Sequence, residues 1–289
     1  MLKKFILLLL FAFQFANAQS DLSSPVKIPF TVTGAGHIMI KATVNGTEGN
    51  FIFDTGAGLN LVTKKFADKV NLTKTQSFYT GHRATGEALE VDLYDIKSLQ
   101  LAGFTDNNQQ TAVLDIDFPL DGLISLMPFK NNAITIDYTT KNLIIENGAS
   151  LKKLVKKNNA LPIQISEDGE RTLSISTKVK LNSKLTLQVG LDSGAGANIF
   201  RFNSRYIETL ELDKSKLETK YVKSDFNPEH GNNFYRASLT ELATINNTAS
   251  VKEIPVTFIE GLIYEGILCT NWLGDKITID VKGKRILVN

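Results

Sequence analysis

Two short segments of the chain combine an acid, a hydroxyl side chain and glycine. The first is Asp54-Thr55-Gly56-Ala57-Gly58, and the second, 138 residues later, is Asp192-Ser193-Gly194-Ala195-Gly196. An apolar run precedes each acid, and a carboxylate beside apolar neighbours is costly to desolvate. Two such carboxylates facing each other would share one proton and could activate a water molecule. The pattern predicts acid–base chemistry carried by Asp54 and Asp192.

A simpler interpretation is that each acid caps a glycine turn, because Asp and Gly are common turn residues. Matching landmarks elsewhere in the chain argue against it. The segment from Asp121 to Ser125 parallels the segment from Glu265 to Cys269, at an offset of 144 residues. Ile134 to Asp137 parallels Ile277 to Asp280, at an offset of 143. Repeats in one order at nearly constant spacing indicate two related halves.

The residues before each acid alternate between apolar and polar side chains, which is typical of β-strands. His37 to Val44 is one such run, Asn45-Gly46 marks a tight turn, and Phe51-Ile52-Phe53 leads into the first acid. The second half repeats this order, with its turn at Asn182-Ser183. Each acid is therefore predicted to follow a β-hairpin.

Three further patterns give expectations about the connections. Asn60 and Asn198 each lie six residues beyond their acid, which predicts that they are equivalent. The apolar spacing from Asn60 to Val70 suggests a short helix. The lysine-rich stretch from Asn147 to Asn159 is either a linker or a short amphipathic helix.

Residues 78–93 predict a projecting hairpin, because two glycines flank a polar tip and an apolar return strand follows. Such a hairpin is either a flap over a cleft or an ordinary exposed hairpin. The matching region of the second half, Tyr221 to Tyr235, is predicted to be an irregular loop. The candidate flap and substrate-binding residues are Tyr79, Gly81, Thr85 and Gly86.

The first 18 residues have the composition of a secretory signal peptide. Lys3 and Lys4 precede an apolar run, and Ala16-Asn17-Ala18 is a small-x-small cleavage site. The alternative, a membrane anchor, needs roughly 20 apolar residues, and the run is shorter. Cleavage would remove both lysines and reduce the net charge from +2 to zero. A neutral chain gives no electrostatic case for binding nucleic acid or an anionic membrane.

Cys269 is the single cysteine, so an intramolecular disulfide is excluded. An exported chain without disulfides is more typical of bacteria than of eukaryotic secretion. The expected location is therefore the bacterial periplasm or the exterior.

The twin motif, with the later elements at Leu123-Ile124-Ser125 and Ile267-Leu268-Cys269, resembles the retropepsin-like and pepsin-like aspartic peptidases. The resemblance implies an all-β fold of two related acid-protease β-barrel lobes, residues 19–150 and 151–289, with an active-site cleft between them. It also implies that Asp54 and Asp192 are catalytic and that no metal or cofactor is required. The residues that would support the active-site loops are Thr55, Gly56, Ala57, Ser193, Gly194 and Ala195.

The sequence departs from the family pattern at two pairs of positions. Ser125 and Cys269 replace the glycine of the later element. Gly58 and Gly196 replace a hydroxyl residue that pepsin-like enzymes have two places beyond the motif glycine. These departures leave open whether the acids retain full activity.

The predicted function is hydrolysis of peptide bonds by an aspartic endopeptidase that cleaves a peptide or protein substrate. One chain would act as a monomer, because its two halves supply both acids. The alternative is a protease-fold protein that binds a peptide or other ligand with little or no catalysis, since fold alone does not prove function. A serine or metal hydrolase has little support, because neither Gly-x-Ser-x-Gly nor His-Glu-x-x-His occurs.

Overall fold

The computed structural model describes residues 22–169, 171–224, 227 and 229–289. Within these ranges the chain forms 21 β-strands, two short α-helices and five single 3₁₀ turns. The predicted all-β class is therefore confirmed. The predicted signal peptide, residues 1–18, lies outside the described residues. No helix in the described part of the chain is both long and apolar enough to span a membrane.

The strands fall into two series of similar order. The first series is β1 (Val26–Val32), β2 (Ile38–Val44), β3 (Thr47–Phe53), β4 (Asn60–Thr63), β5 (Thr73–His82), β6 (Ala88–Leu101), β7 (Phe104–Leu114), β8 (Gly122–Ile124), β9 (Ile134–Asp137) and β10 (Asn142–Ile145). The second is β11 (Asn159–Pro162), β12 (Gln164–Asp168), β13 (Thr172–Leu181), β14 (Leu185–Leu191), β15 (Phe200–Asn203), β16 (Glu218–Lys223), β17 (Gly231–Thr244), β18 (Ser250–Ile259), β19 (Gly266–Leu268), β20 (Lys276–Asp280) and β21 (Arg285–Val288). The helices are α1 (Lys64–Lys69) and α2 (Gly148–Lys157).

Each series closes a six-stranded barrel. In the first, the order is β2-β3-β8-β4-β7-β6, and pairing of β6 with β2 completes the ring. In the second, the order is β13-β14-β19-β15-β18-β17, and pairing of β17 with β13 completes it. The equivalent strand order confirms the two related halves, and closure leaves these twelve strands without free edges.

The predicted alternation fills the barrels with apolar side chains. In β2, Ile38, Ile40, Ala42 and Val44 are all buried. Burial of each large aliphatic side chain contributes about 1.5–3 kcal/mol. The tight turn after β2 is also confirmed, because Asn45 and Gly46 both adopt positive φ angles, the geometry that matches strand twist in a two-residue hairpin.

A six-stranded antiparallel sheet, β11-β21-β20-β9-β10-β1, joins the two halves. Its central pair is β9 and β20, in which Thr135 lies opposite Thr278. The hydroxyls of these two threonines are 2.7 Å apart and buried. The two halves therefore meet at equivalent residues, as an approximate two-fold relation requires.

The boundary predicted at residues 150 and 151 falls inside α2, and the division into lobes at that point stays a prediction. The structure decides the open choice for 147–159 in favour of a helix. Asn147 caps α2 by accepting a hydrogen bond from the Ser150 amide, and the Ser150 hydroxyl accepts one from the Asn147 amide. This capping box satisfies two amides at the start of the helix.

The short helix predicted within Asn60 to Val70 is confirmed as α1, although the first four residues of this stretch form strand β4, which pairs with β7 and β8. Two other connection predictions are wrong. Asn60 is not equivalent to Asn198. When the pairing of β4 with β8 is matched to the pairing of β15 with β19, the residue that corresponds to Asn60 is Phe200. The region 221–235 is not a simple loop, since much of it lies in the antiparallel pair β16 and β17. The partners of β4 and β15 lie far away in sequence, so local patterns do not reveal them.

Candidate active site

Both candidate acids lie where an inner barrel strand ends. Asp54 follows β3, and its amide donates to the Ile124 carbonyl at 2.9 Å. Asp192 follows β14, and its amide donates to the Leu268 carbonyl at 2.8 Å. β3 and β14 pair in parallel with the short strands β8 and β19, so these bonds extend each parallel pair by one residue. Each barrel therefore holds its acid by an equivalent backbone hydrogen bond.

Thr55 and Ser193 join the two acid loops by four hydrogen bonds. The Thr55 amide donates to the Ser193 hydroxyl at 3.0 Å, and the Ser193 amide donates to the Thr55 hydroxyl at 3.0 Å. The Thr55 hydroxyl also donates to the Leu191 carbonyl at 2.7 Å, and the Ser193 hydroxyl donates to the Phe53 carbonyl at 2.8 Å. Thr55 and Ser193 are buried, so these bonds fix the loops to each other in a dry environment.

Thr55→Val is expected to lower the free energy of unfolding by about 1–3 kcal/mol, because the Leu191 carbonyl and the Ser193 amide lose their partner while the side-chain volume is kept. Urea unfolding measures the change. Thr105→Val, at an exposed strand position, is the matched control and should change stability by less than about 0.5 kcal/mol. Equal effects of the two variants would contradict the role assigned to the linked loops.

Gly56 and Gly194 bring each acid against the opposite loop. A Cβ atom added to Gly194 would lie 2.2 Å from Cγ of Asp54, and one added to Gly56 would lie 2.4 Å from Cγ of Asp192. Each carboxylate therefore packs directly on the glycine of the other motif. Glycine is required at both positions by this close approach. The two acids are brought face to face by the crossed packing.

The two carboxylates have different surroundings. Oδ1 of Asp54 accepts hydrogen bonds from the amides of Gly56 and Ala57 at 2.8 and 3.1 Å. Oδ1 of Asp192 accepts no comparable hydrogen bond from the described residues. Burial, followed by the charge of Asp54 and a side-chain hydrogen bond with Asp54, raises the pKa of Asp192 well above the usual carboxyl range. Backbone hydrogen bonds from Ala195 and Gly194 lower the pKa of Asp192, but their effect is smaller. The pair can hold one proton at a pH where an isolated carboxyl group would be ionised.

The structure accommodates both departures from the family pattern. Ser125 is fully buried, donates its hydroxyl to the Asn60 side chain at 3.1 Å and accepts from the Met127 amide at 3.2 Å. Cys269 is buried, and its amide donates to the Ile199 carbonyl at 2.9 Å. A side chain at Gly196 would meet the Ala35 carbonyl at 2.5 Å, and its φ of +94° favours glycine. Gly58 is less constrained, because a Cβ there would meet only Thr172, at 3.3 Å.

The predicted projecting hairpin is confirmed as the pair β5 and β6. Tyr79 and Gly81 line a cavity of about 460 Å³ beside the first acid loop. Thr85 and Gly86 lie instead at the hairpin tip against the second half, where a Cβ on Gly86 would be 3.1 Å from the Ile263 side chain. The backbone also joins the two halves here, since the Ile263 amide donates to the Ala84 carbonyl at 2.9 Å.

The second half contributes a corresponding hairpin, β16 and β17, which the sequence prediction missed. The Ser224 hydroxyl at its tip donates to both carboxylate oxygens of Glu87 in the first hairpin, at 2.7 and 2.8 Å. The two hairpin tips are therefore in contact. The alternating pattern that would have indicated β16 is weak, because nearly all of its side chains are exposed.

Sequence reasoning also missed the segment that faces the first hairpin. Ile263 and Tyr264 line the same cavity as Tyr79. Burial raises the pKa of Tyr264, and the neighbouring Tyr79 and Asp192 raise it further, so this tyrosine lies within electrostatic reach of Asp192. Within the described residues, no cluster of three or more His, Cys, Asp or Glu side chains could hold a metal ion.

Two six-stranded barrels that each present an acid to a shared centre have the architecture of acid-protease lobes. A family model described as aspartyl protease matches residues 40–127. The matched segment runs from β2 into the turn after β8, and includes Asp54. No curated protein matches the chain significantly. The match supports an aspartyl protease family and hydrolase chemistry in general.

Proposed function

We propose that this protein is an aspartic endopeptidase in which Asp54 and Asp192 act together on one water molecule. The observation that supports this most is the crossed packing of each carboxylate on the opposite glycine. Two carboxylates held in this way cannot both ionise cheaply, so one keeps a proton. Because both acids come from one chain, we propose that the monomer is active.

The proposed reaction needs one ionised and one protonated acid. The ionised carboxylate takes a proton from the water as it attacks the peptide carbonyl, and the protonated carboxyl polarises that carbonyl. The carboxyl that took the proton from the water then donates it to the leaving nitrogen, and the C–N bond breaks as the carbonyl re-forms and returns its proton to the other carboxylate. An extended substrate would lie between the acid loops and Tyr79, Gly81 and Tyr264, with its backbone able to hydrogen-bond to the hairpin.

The proposal predicts cleavage of an unstructured protein that falls as the pH rises through the raised pKa of Asp192. Because folding raises the pKa of Asp192, the native state holds this proton more tightly than the unfolded chain does. The resulting stabilisation is fully present below about pH 4 and is lost as the pH rises through the raised pKa. Cleavage depends on the same proton. Both the cleavage rate and the contribution of Asp192 to stability therefore decline as the pH rises through its raised pKa.

The test is incubation of the protein without its first 18 residues with reduced, unfolded casein from acid to alkaline pH, with and without pepstatin. Product peptides measured by mass spectrometry report the rate, and the melting temperature is recorded in the same buffers. Inhibitor-sensitive cleavage is expected, and it should decline as the pH rises through the raised pKa of Asp192. Binding of casein without cleavage at any pH would favour the non-catalytic alternative.

A further inference from the structure

The cavity beside the first acid loop is lined by two chemically different groups of side chains. One wall is aliphatic and comes from the first half: Leu59, Leu61, Leu89, Val91, Leu114 and Leu123. A polar group comes from the hairpin β12–β13 of the second half: Ser166, Asp168, Thr172 and Ser174. A ligand that fills the cavity would therefore need an apolar stem and a polar end.

The position of Asp168 is fixed relative to the acid loop by a short series of contacts. The Asp168 amide donates to the Thr172 hydroxyl at 3.2 Å, and Arg171 closes the turn by donating its amide to the Asp168 carbonyl at 3.2 Å. The next residue along the strand, Leu173, donates its amide to the Gly58 carbonyl at 2.8 Å. The backbone of Asp168 is thus connected to the first acid motif through two hydrogen bonds.

The Asp168 carboxylate is available to a ligand. None of the ion pairs between described residues involves it. Arg171, the nearest described cation in sequence, lines a separate cavity with Asp95 and Lys130. Arg83 lines the same cavity as Asp168, but its ion-pair partner is Glu87, whose Oε2 lies 3.9 Å from Nε of Arg83. The Asp168 carboxylate therefore forms no ion pair with a side chain in the described part of the molecule.

We propose that Asp168 is a specificity-determining residue that selects a lysine or arginine side chain of the substrate. The methylene groups of such a side chain pack along the aliphatic wall, and its cationic end pairs with the Asp168 carboxylate, as long basic side chains do at the edges of apolar surfaces. This inference rests on the proposed function for its substrate class, a peptide.

Fluorescent peptides of one sequence, with lysine or norleucine at each position in turn, test the inference. Norleucine keeps the apolar stem and removes the charge. At one position the lysine peptide should be preferred, and Asp168→Asn should lower the ratio of the two kcat/KM values about tenfold. Glu167→Gln removes the same charge from the adjacent residue, which does not line the cavity, and should leave the ratio unchanged.

The same peptide pairs are used for binding by fluorescence anisotropy in the Asp54→Asn background, where cleavage is stopped. Failure of the wild-type protein to cleave any peptide would overturn the proposed function, while the affinity ratio still tests Asp168. A ratio that is the same with and without Asp168, in cleavage or in binding, would overturn the inference. Asp168→Ser gives a second removal of the charge if Asp168→Asn unfolds, as judged by its melting temperature.

Discussion

Replacing Asp192 with asparagine is expected to stop peptide cleavage and, at the same time, to stabilise the folded protein at neutral pH. Cleavage should fall by at least about 10³-fold, because the water loses one of its two acid–base partners. Stability should rise by about 1–2 kcal/mol, because the amide needs no ionisation in a buried place beside Asp54. Loss of function combined with a gain in stability is the signature of a site strained for its chemistry.

Casein cleavage and urea unfolding at pH 7 measure the two effects. Asp54→Asn should lose cleavage to a similar extent, since both acids are needed. Asp117→Asn, at an exposed position away from the cavity, is the matched control and should change neither quantity appreciably. Cleavage by Asp192→Asn at the wild-type rate would rule out the proposed pair.

Gly194→Ala is expected to reduce cleavage about 100-fold by displacing an acid on the other side of the site. The added methyl group would lie 2.2 Å from Cγ of Asp54 and 2.4 Å from each of its oxygens, so the carboxylate must move. A displacement of about 1 Å costs roughly this factor when reacting groups are held in place. Because the φ angle of Gly194 is not in the left-handed region, the effect is a collision rather than backbone strain.

The control for this variant is Gly34→Ala, because a Cβ at Gly34 meets no atom within 4 Å. It should keep wild-type cleavage. Peptide affinity is measured together with the rate, so that a loss of kcat can be distinguished from a loss of binding. Displacement of Asp54 should lower kcat more than it weakens binding. Normal kcat in Gly194→Ala would show that the carboxylate does not need the place in which the structure holds it.

Much of the fold was accessible from local patterns. Period-two alternation identified β2, and Asn45-Gly46 identified its turn, because strand geometry and positive φ angles depend on neighbouring residues. The duplicated motif identified the related halves. Strand β4 was mistaken for part of a helix, because its four residues are set by pairing with β7 and β8 rather than by their own pattern.

The candidate site divides in the same way. The amino-acid sequence alone was enough to single out two acids, their hydroxyl neighbours and the glycines, since these residue types recur in one order in both halves. Only the folded chain showed the crossed packing of each carboxylate on the opposite glycine, the contact of Ser224 with Glu87, and the arrival of Tyr264 and Asp168 at the cavity. Those contacts join residues far apart in the chain, and their distances depend on barrel closure and strand register, which no short stretch of sequence encodes.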